Sequence, residues 1–272
     1  MRLGGPVFGD NLSPDQWVVA LRAAGYRAAY CPAEDKDDDM TAQAYAKAAK
    51  DADIIISEVG AWSNPLSRDG KIRKAALELC QRRLDLADRI GARCCVNIAG
   101  SRGAKWDGPS PDDLTDDTFD IIVESARAIL DAVKPKRTFY TIETMPWMYP
   151  DSPESYLRLI QAIDRRRFGA HLDPVNLISS PQKYFANGAL IRECFRIFGS
   201  HIKSCHAKDI LLADRLTVHL DEVRPGLGRL DYGVYLRELD RLDPQIPLML
   251  EHLETPGDYA SAAEYIQSVA RG

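Results

Sequence analysis

The sequence predicts a single (β/α)8 barrel spanning residues 1–272. Three observations lead there. The chain runs 272 residues with no composition shift or flexible linker, a normal length for one α/β barrel. Short β-branched runs alternate with amphipathic stretches eight times, about 34 residues per unit, and eight units are what closes such a barrel. No glycine-rich phosphate loop follows the first strand, which weighs against a doubly wound open sheet.

Residues 2–8 form a short apolar run and read as the first strand. Ser13-Pro14-Asp15 opens a helix, with serine as cap and proline at the first helical position, and that helix stops at Gly25. Residues 27–31 (RAAYC) are the second strand, 33–39 an acidic surface loop and 41–51 a helix. Residues 53–57 (DIIIS) are a third strand reaching Glu58. A loop with Trp62 leads to a helix over 68–90, ended by Gly91. Strand four is 93–98 (RCCVNI), with Asn97 near its end. A Gly- and Pro-rich loop with Arg102, Lys105 and Trp106 comes next. A helix over 115–133 opens with Thr115, Asp116 and Asp117, as the helix dipole favours.

The fifth to eighth units are the most informative. Strand five (138–143) ends on Glu143. The loop after it carries Trp147 and Met148, and a helix covers 153–163. Strand six (168–172) leads into Asp173. A helix over 185–198 stops at Gly199. Strand seven (201–206) ends on His206, followed by a long connection over 207–229. A helix covers 232–242, strand eight (247–251) ends on Glu251, and the closing helix is 259–269.

Composition narrows the function. Against 35 Lys and Arg stand 40 Asp and Glu, net −5, a poor match to nucleic acid. The six cysteines form no CxxC pair and read as reduced thiols. No secretory signal is visible, and no apolar run reaches the roughly 20 residues of a membrane span. The expectation is a soluble, cytoplasmic protein with no membrane partner.

Glu143, Asp173, His206 and Glu251 end four consecutive strands, 30, 33 and 45 residues apart. Catalytic groups of barrels gather at those strand ends. Three carboxylates brought together would repel without a cation. The expectation is therefore one divalent metal. An oxygen-rich set with one imidazole suits Mn2+ first, with Mg2+, Co2+, Fe2+ or Zn2+ as the other candidates.

Five segments carry a family resemblance: IET at 142–144, HLDPVN at 171–176, SCHAKD at 204–209, RPGLGRLDY at 224–232 and LMLEHLET at 248–255. With these the chain resembles the xylose isomerase-like TIM barrels, the sugar and sugar-phosphate isomerases and epimerases that include tagatose/psicose 3-epimerases, hydroxypyruvate isomerase and inosose dehydratase. The resemblance implies that Glu143, Asp173, His206 and Glu251 hold the metal and that the two glutamates also move protons. It implies a small-molecule carbohydrate substrate and a metal-stabilised enediolate. A homodimer or homotetramer is common among such proteins. In the 3-epimerases a substrate-binding histidine stands where this chain has Asn176, a departure from the free-ketohexose pattern.

Further substrate-binding candidates are His171, Asn176, Lys208, Glu58, Asn97, Trp106 and Arg224. His171 lies two residues before Asp173 and so shares its face. His252, next to Glu251, is expected to face away. Trp62, Trp147 and Met148 are candidates to stack on a sugar or cover the site. Other readings are a lyase or dehydratase on the same metal site, a C-glycoside-cleaving relative, and a non-catalytic, metal-containing sugar-binding subunit. A DNA-repair endonuclease of the related barrel class uses a His-rich three-zinc cluster, whereas no histidine precedes His171 here.

Overall fold

A computed structural model describes residues 1–9, 11–34, 36 and 38–271 of the chain. Eight parallel strands close into a barrel. In chain order they begin β1 (Arg2–Gly5), β2 (Ala28–Tyr30), β3 (Ile55–Gly60), β4 (Cys94–Asn97), β5 (Phe139–Glu143), β6 (Phe168–Leu172) and β7 (Ile202–Ala207). Two further strands, β8 (Asp209–Leu212) and β9 (Leu220–Val223), pair antiparallel as a hairpin outside the barrel, and β10 (Pro247–Leu250) is its last member. The order around the barrel is β1-β10-β7-β6-β5-β4-β3-β2. The sequence reading assigned 207–229 to a connection, and the hairpin corrects it. The expected acidic loop at 33–39 lies partly outside the described residues.

The helices form where capping and apolar spacing direct them. Helix α1 (Pro14–Ala23) starts at Ser13 with a capping box closed by Gln16, and α2 covers Asp39–Asp51. In α3 (Gly70–Ile90) the buried Ala76, Cys80, Leu84 and Ala87 recur every three or four residues and make one stripe, which packs on β3 and β4. Gly91 then takes the left-handed conformation that ends the helix. Helix α4 (Asp116–Val133) is capped by Thr115, and α5 (Pro153–Ile163) by Ser152. Beyond β6 the chain makes two short turns of helix, α6 (Pro174–Leu177) and α7 (Pro181–Phe185), before α8 (Asn187–Phe198), where one helix over 185–198 was expected. Helices α9 (Tyr232–Leu242) and α10 (Pro256–Arg271) complete the ring.

Closure needs small residues on β1. A Cβ on Gly4 would come within 2.4 Å of the Ala28 carbonyl oxygen and 2.7 Å of Met249 Sδ, so β1 meets its neighbours only as glycine. Cys80, Cys94, Cys95, Cys194 and Cys205 are buried thiols within this packing. Among the described residues no helix is long and apolar enough to cross a membrane.

Candidate metal centre and cavity

The C-terminal ends of β5, β6, β7 and β10 are fixed by hydroxyl groups. Tyr156 Oη, from α5, donates to the Ile142 carbonyl and accepts from the His171 amide at 3.0 Å. Thr144 Oγ1 donates to the Asp173 carbonyl at 2.7 Å and accepts from the Asp173 amide at 2.9 Å. From α9, Tyr235 Oη donates to the His206 carbonyl at 3.1 Å and Tyr232 Oη to the Lys208 carbonyl at 2.7 Å. Each bond satisfies a buried backbone group and holds a neighbour of the site in place.

On this frame Glu143, Asp173, His206 and Glu251 converge, each offering a ligand atom within 4.8 Å of the others. Glu143 ends β5 and His206 is the penultimate residue of β7. Asp173 and Glu251 stand one residue beyond their strands. His206 Nδ1 lies 3.1 Å from Glu143 Oε1, 2.9 Å from Glu251 Oε1 and 4.0 Å from Asp173 Oδ2. One oxygen of Asp173 caps α6 through the Val175 amide at 2.9 Å. Its other oxygen, Oδ2, and Glu251 Oε1 are buried, and both face the Lys208 ammonium. Three carboxylates and one imidazole nitrogen, their ligand atoms within 4.8 Å of one another, suit a hard divalent cation, whose opposite ligands stand about 4.2 Å apart. The donor set therefore fits such an ion.

A second group lies beneath the first. Glu58, in the interior of β3, accepts at Oε2 from His171 Nε2 at 2.9 Å and from Ser204 Oγ at 2.9 Å, and its Oε1 is 3.2 Å from His206 Nε2. At these distances the groups hydrogen-bond to one another directly. The network fixes His206 by its far nitrogen and turns Nδ1 toward the carboxylates. Burial favours the neutral form of Glu58, but the charges of His171 and His206 outweigh it and hold the carboxyl well below its usual range. Burial likewise works against a charged His206, and Glu251, Glu143 and Glu58 overcome it, raising the imidazole well above its ordinary value.

Lys208 adds a cation that the sequence reading placed against substrate. It is buried, with Nζ 2.7 Å from Glu251 Oε1, 3.0 Å from Asp173 Oδ2 and 3.4 Å from Glu222 Oε2. Burial would lower its ammonium, and Asp173 and Glu251 raise it well above the ordinary lysine value. Burial opposes ionisation of Glu251, whose carboxyl the charges of His206 and Lys208 nonetheless hold low.

Above the centre opens a cavity of about 620 Å3, lined in part by Glu143, Glu251, Asn176, Lys208, Trp62 and Trp106. Asn176 Nδ2 donates to Glu143 Oε1 at 3.2 Å. Trp147 also lines the cavity, whereas Met148 is fully buried in the core. Four candidates do not line it. Glu58 and His171 lie below, hydrogen-bonded to each other. Asn97 is fully buried, its amide joined to the Ser63 backbone. Arg224 turns to Asp258, 3.8 Å away, and to the Pro225 carbonyl.

His252 does line the cavity. The strand ends at Leu250, and at His252 the backbone is left-handed, with φ 56°, so strand alternation no longer sets its direction. Its Nδ1 is 3.1 Å from Glu222 Oε1. Glu222, on β9, and Tyr30, whose Oη donates to the Leu250 carbonyl at 3.1 Å, are lining residues that the sequence reading missed. Tyr30 lies next to the last residue of the strand predicted over 27–31, a position that could have flagged it. Glu222 has no such signal, because only the hairpin brings it over the site.

No curated protein matches the chain in sequence. Solved structures match it over nearly its full length. Endonuclease IV from Thermus thermophilus superposes with a TM-score of 0.75 at 13% identity, covering 100% of this chain and 99% of its own. A D-psicose 3-epimerase from Clostridium cellulolyticum, solved with D-tagatose, gives 0.71 at 14%, covering 100% and 98%. The probable 3-DHS dehydratase AsbF from Bacillus anthracis gives 0.72 at 15%, covering 99% of each chain. At such identities these likenesses show the barrel alone. The family model is more specific: the description xylose isomerase-like TIM barrel matches residues 18–269. With that match over nearly the whole of an eight-stranded barrel, the chain belongs to the xylose isomerase-like TIM barrel family.

Proposed function

We propose that the protein is a divalent-metal-dependent isomerase or epimerase of a hydroxyketone or hydroxyaldehyde sugar. The observation that carries this is the division of labour among the four converging residues. Asp173 and His206 are fully buried, while Glu143 and Glu251 also line the cavity. Two residues can thus anchor an ion while two carboxylates face both ion and substrate. In barrel order β5 and β10 lie on either side of the β6–β7 pair, so the two glutamates approach from opposite sides.

Glu143, Asp173, His206 and Glu251 would hold the ion, which when bound supplies Lewis acidity toward two adjacent substrate oxygens. One glutamate takes the proton from the carbon next to the carbonyl, and the other returns a proton, to the opposite face for epimerisation or to the neighbouring carbon for isomerisation. Asn176 and His206 hold Glu143 Oε1 in place. Net charge −5 and acidic residues around the cavity support a small-molecule partner over nucleic acid.

The test is a ketose panel incubated in D2O with Mg2+ and read by mass spectrometry. The expected result is deuterium at the α-carbon with wild-type protein and none with Glu143→Gln or Glu251→Gln. Metal-loaded wild-type protein that incorporates no deuterium into any ketose would refute the reading.

A further inference from the structure

The cavity has two unlike walls. Along one stand Lys208 after β7, Glu222 on β9, and Glu251 and His252 after β10. Along the other stand Trp62, Trp106 and Trp147, one from each loop after β3, β4 and β5. These strands are consecutive in the barrel, so the three indoles come from one side of it. They keep 43%, 37% and 39% of their surface open, although such side chains ordinarily bury theirs. Trp147 is held in place by its Nε1 donating to the Asp107 carbonyl at 3.0 Å. Gly60 leaves room for Trp62, since a Cβ there would come within 2.4 Å of its Nε1.

The charges in the cavity are already matched. Lys105 Nζ is 3.2 Å from Asp107, Lys208 faces three carboxylates, and His252 faces Glu222. A phosphate group would find no uncommitted side-chain cation among the described lining residues. Size leaves room beyond a sugar ring. At a generous ~30 Å3 per heavy atom, liquid water's share per molecule, a free hexose occupies about three-fifths of the 620 Å3 available.

We infer that the substrate is an uncharged, hydroxyl-rich sugar derivative carrying a flat aromatic substituent, which lies against Trp62, Trp106 and Trp147 while its oxygens face Glu143 and Glu251. This rests on the sugar reading of the site given above and names the kind of sugar. Aromatic faces stack on one another at a gain beyond the area they bury.

The experiment is calorimetric titration of Mg2+-loaded protein with glucose, phenyl β-D-glucopyranoside, fructose and fructose 6-phosphate. The phenyl glucoside should bind at least about tenfold tighter than glucose, and fructose 6-phosphate no tighter than fructose. Trp106→Ala and Trp147→Ala should each remove most of the phenyl preference, and Trp106→Phe should keep it. Equal binding of glucose and its phenyl glucoside, binding of neither at millimolar concentration, or clearly tighter binding of the phosphate would overturn the inference. A phenyl preference without α-hydrogen exchange would keep the aromatic subsite and remove the isomerase reading. Exchange on free ketoses without a phenyl preference would do the reverse.

Discussion

Replacing Glu58 with glutamine is expected to weaken metal binding while leaving the barrel folded. The carboxylate is buried and serves three donors: His171 Nε2 at 2.9 Å, Ser204 Oγ at 2.9 Å and His206 Nε2 at 3.2 Å. Glutamine has the same shape but one acceptor oxygen, so at least one donor must meet an N–H group. If His206 loses its partner, nothing fixes Nδ1 toward Glu143 and Glu251. Loss of such an outer partner lowers metal affinity about 10- to 100-fold, or roughly 1.4–2.8 kcal/mol. Stability falls as well, because hydrogen bonds to a buried charge contribute about 1.5–3 kcal/mol. At about 2–4 °C per kcal/mol for a chain near this size, a loss of about 2 kcal/mol lowers Tm by about 4–8 °C. The assay is titration of chelator-stripped protein with Mn2+, beside circular dichroism and thermal melts. A folded Glu58→Gln variant that binds Mn2+ within about twofold of wild type would refute the positioning argument.

Two further outcomes follow from the same charges. In Lys208→Met the ammonium that stands against Asp173 and Glu251 is gone, so Mn2+ should bind several-fold tighter and the metal-free protein should melt lower; weaker Mn2+ binding would show instead that the lysine holds the ligands in place. His206 is kept protonated in the metal-free protein by Glu251, Glu143 and Glu58. An ion must displace that proton, so affinity falls as pH falls, about tenfold per unit below the raised value. Calorimetry at pH 7 in two buffers of different ionisation enthalpy should show about one proton released per ion, and equal heats in both would contradict this.

Much of the fold is local and was legible in the chain. Ser13, Thr115 and Ser152 cap helices because a hydroxyl beside the first turn finds a free amide wherever the chain goes. The β-branched runs and the eightfold alternation identify the barrel for the same reason. Glu143, Asp173, His206 and Glu251 could be picked out because a parallel barrel brings all its strand ends to one rim. The hairpin was not legible, since its strands are only four residues long, too short to show an alternation, and pair across seven intervening residues of loop.

Only the closed barrel decided what those residues touch. Glu58 looked like a strand-end acid available to substrate, yet it lies under the centre against two histidines more than a hundred residues away. Lys208 looked like a cation available to substrate and is buried among carboxylates from three other segments. Arg224 and Asn97 sit near the rim in sequence and turn away from it in space. The physical reason is common to all four. Composition and spacing set which way a strand runs and where it ends. A side chain's partners depend on the neighbouring strands, their register and the loops above, which exist only once the barrel has closed.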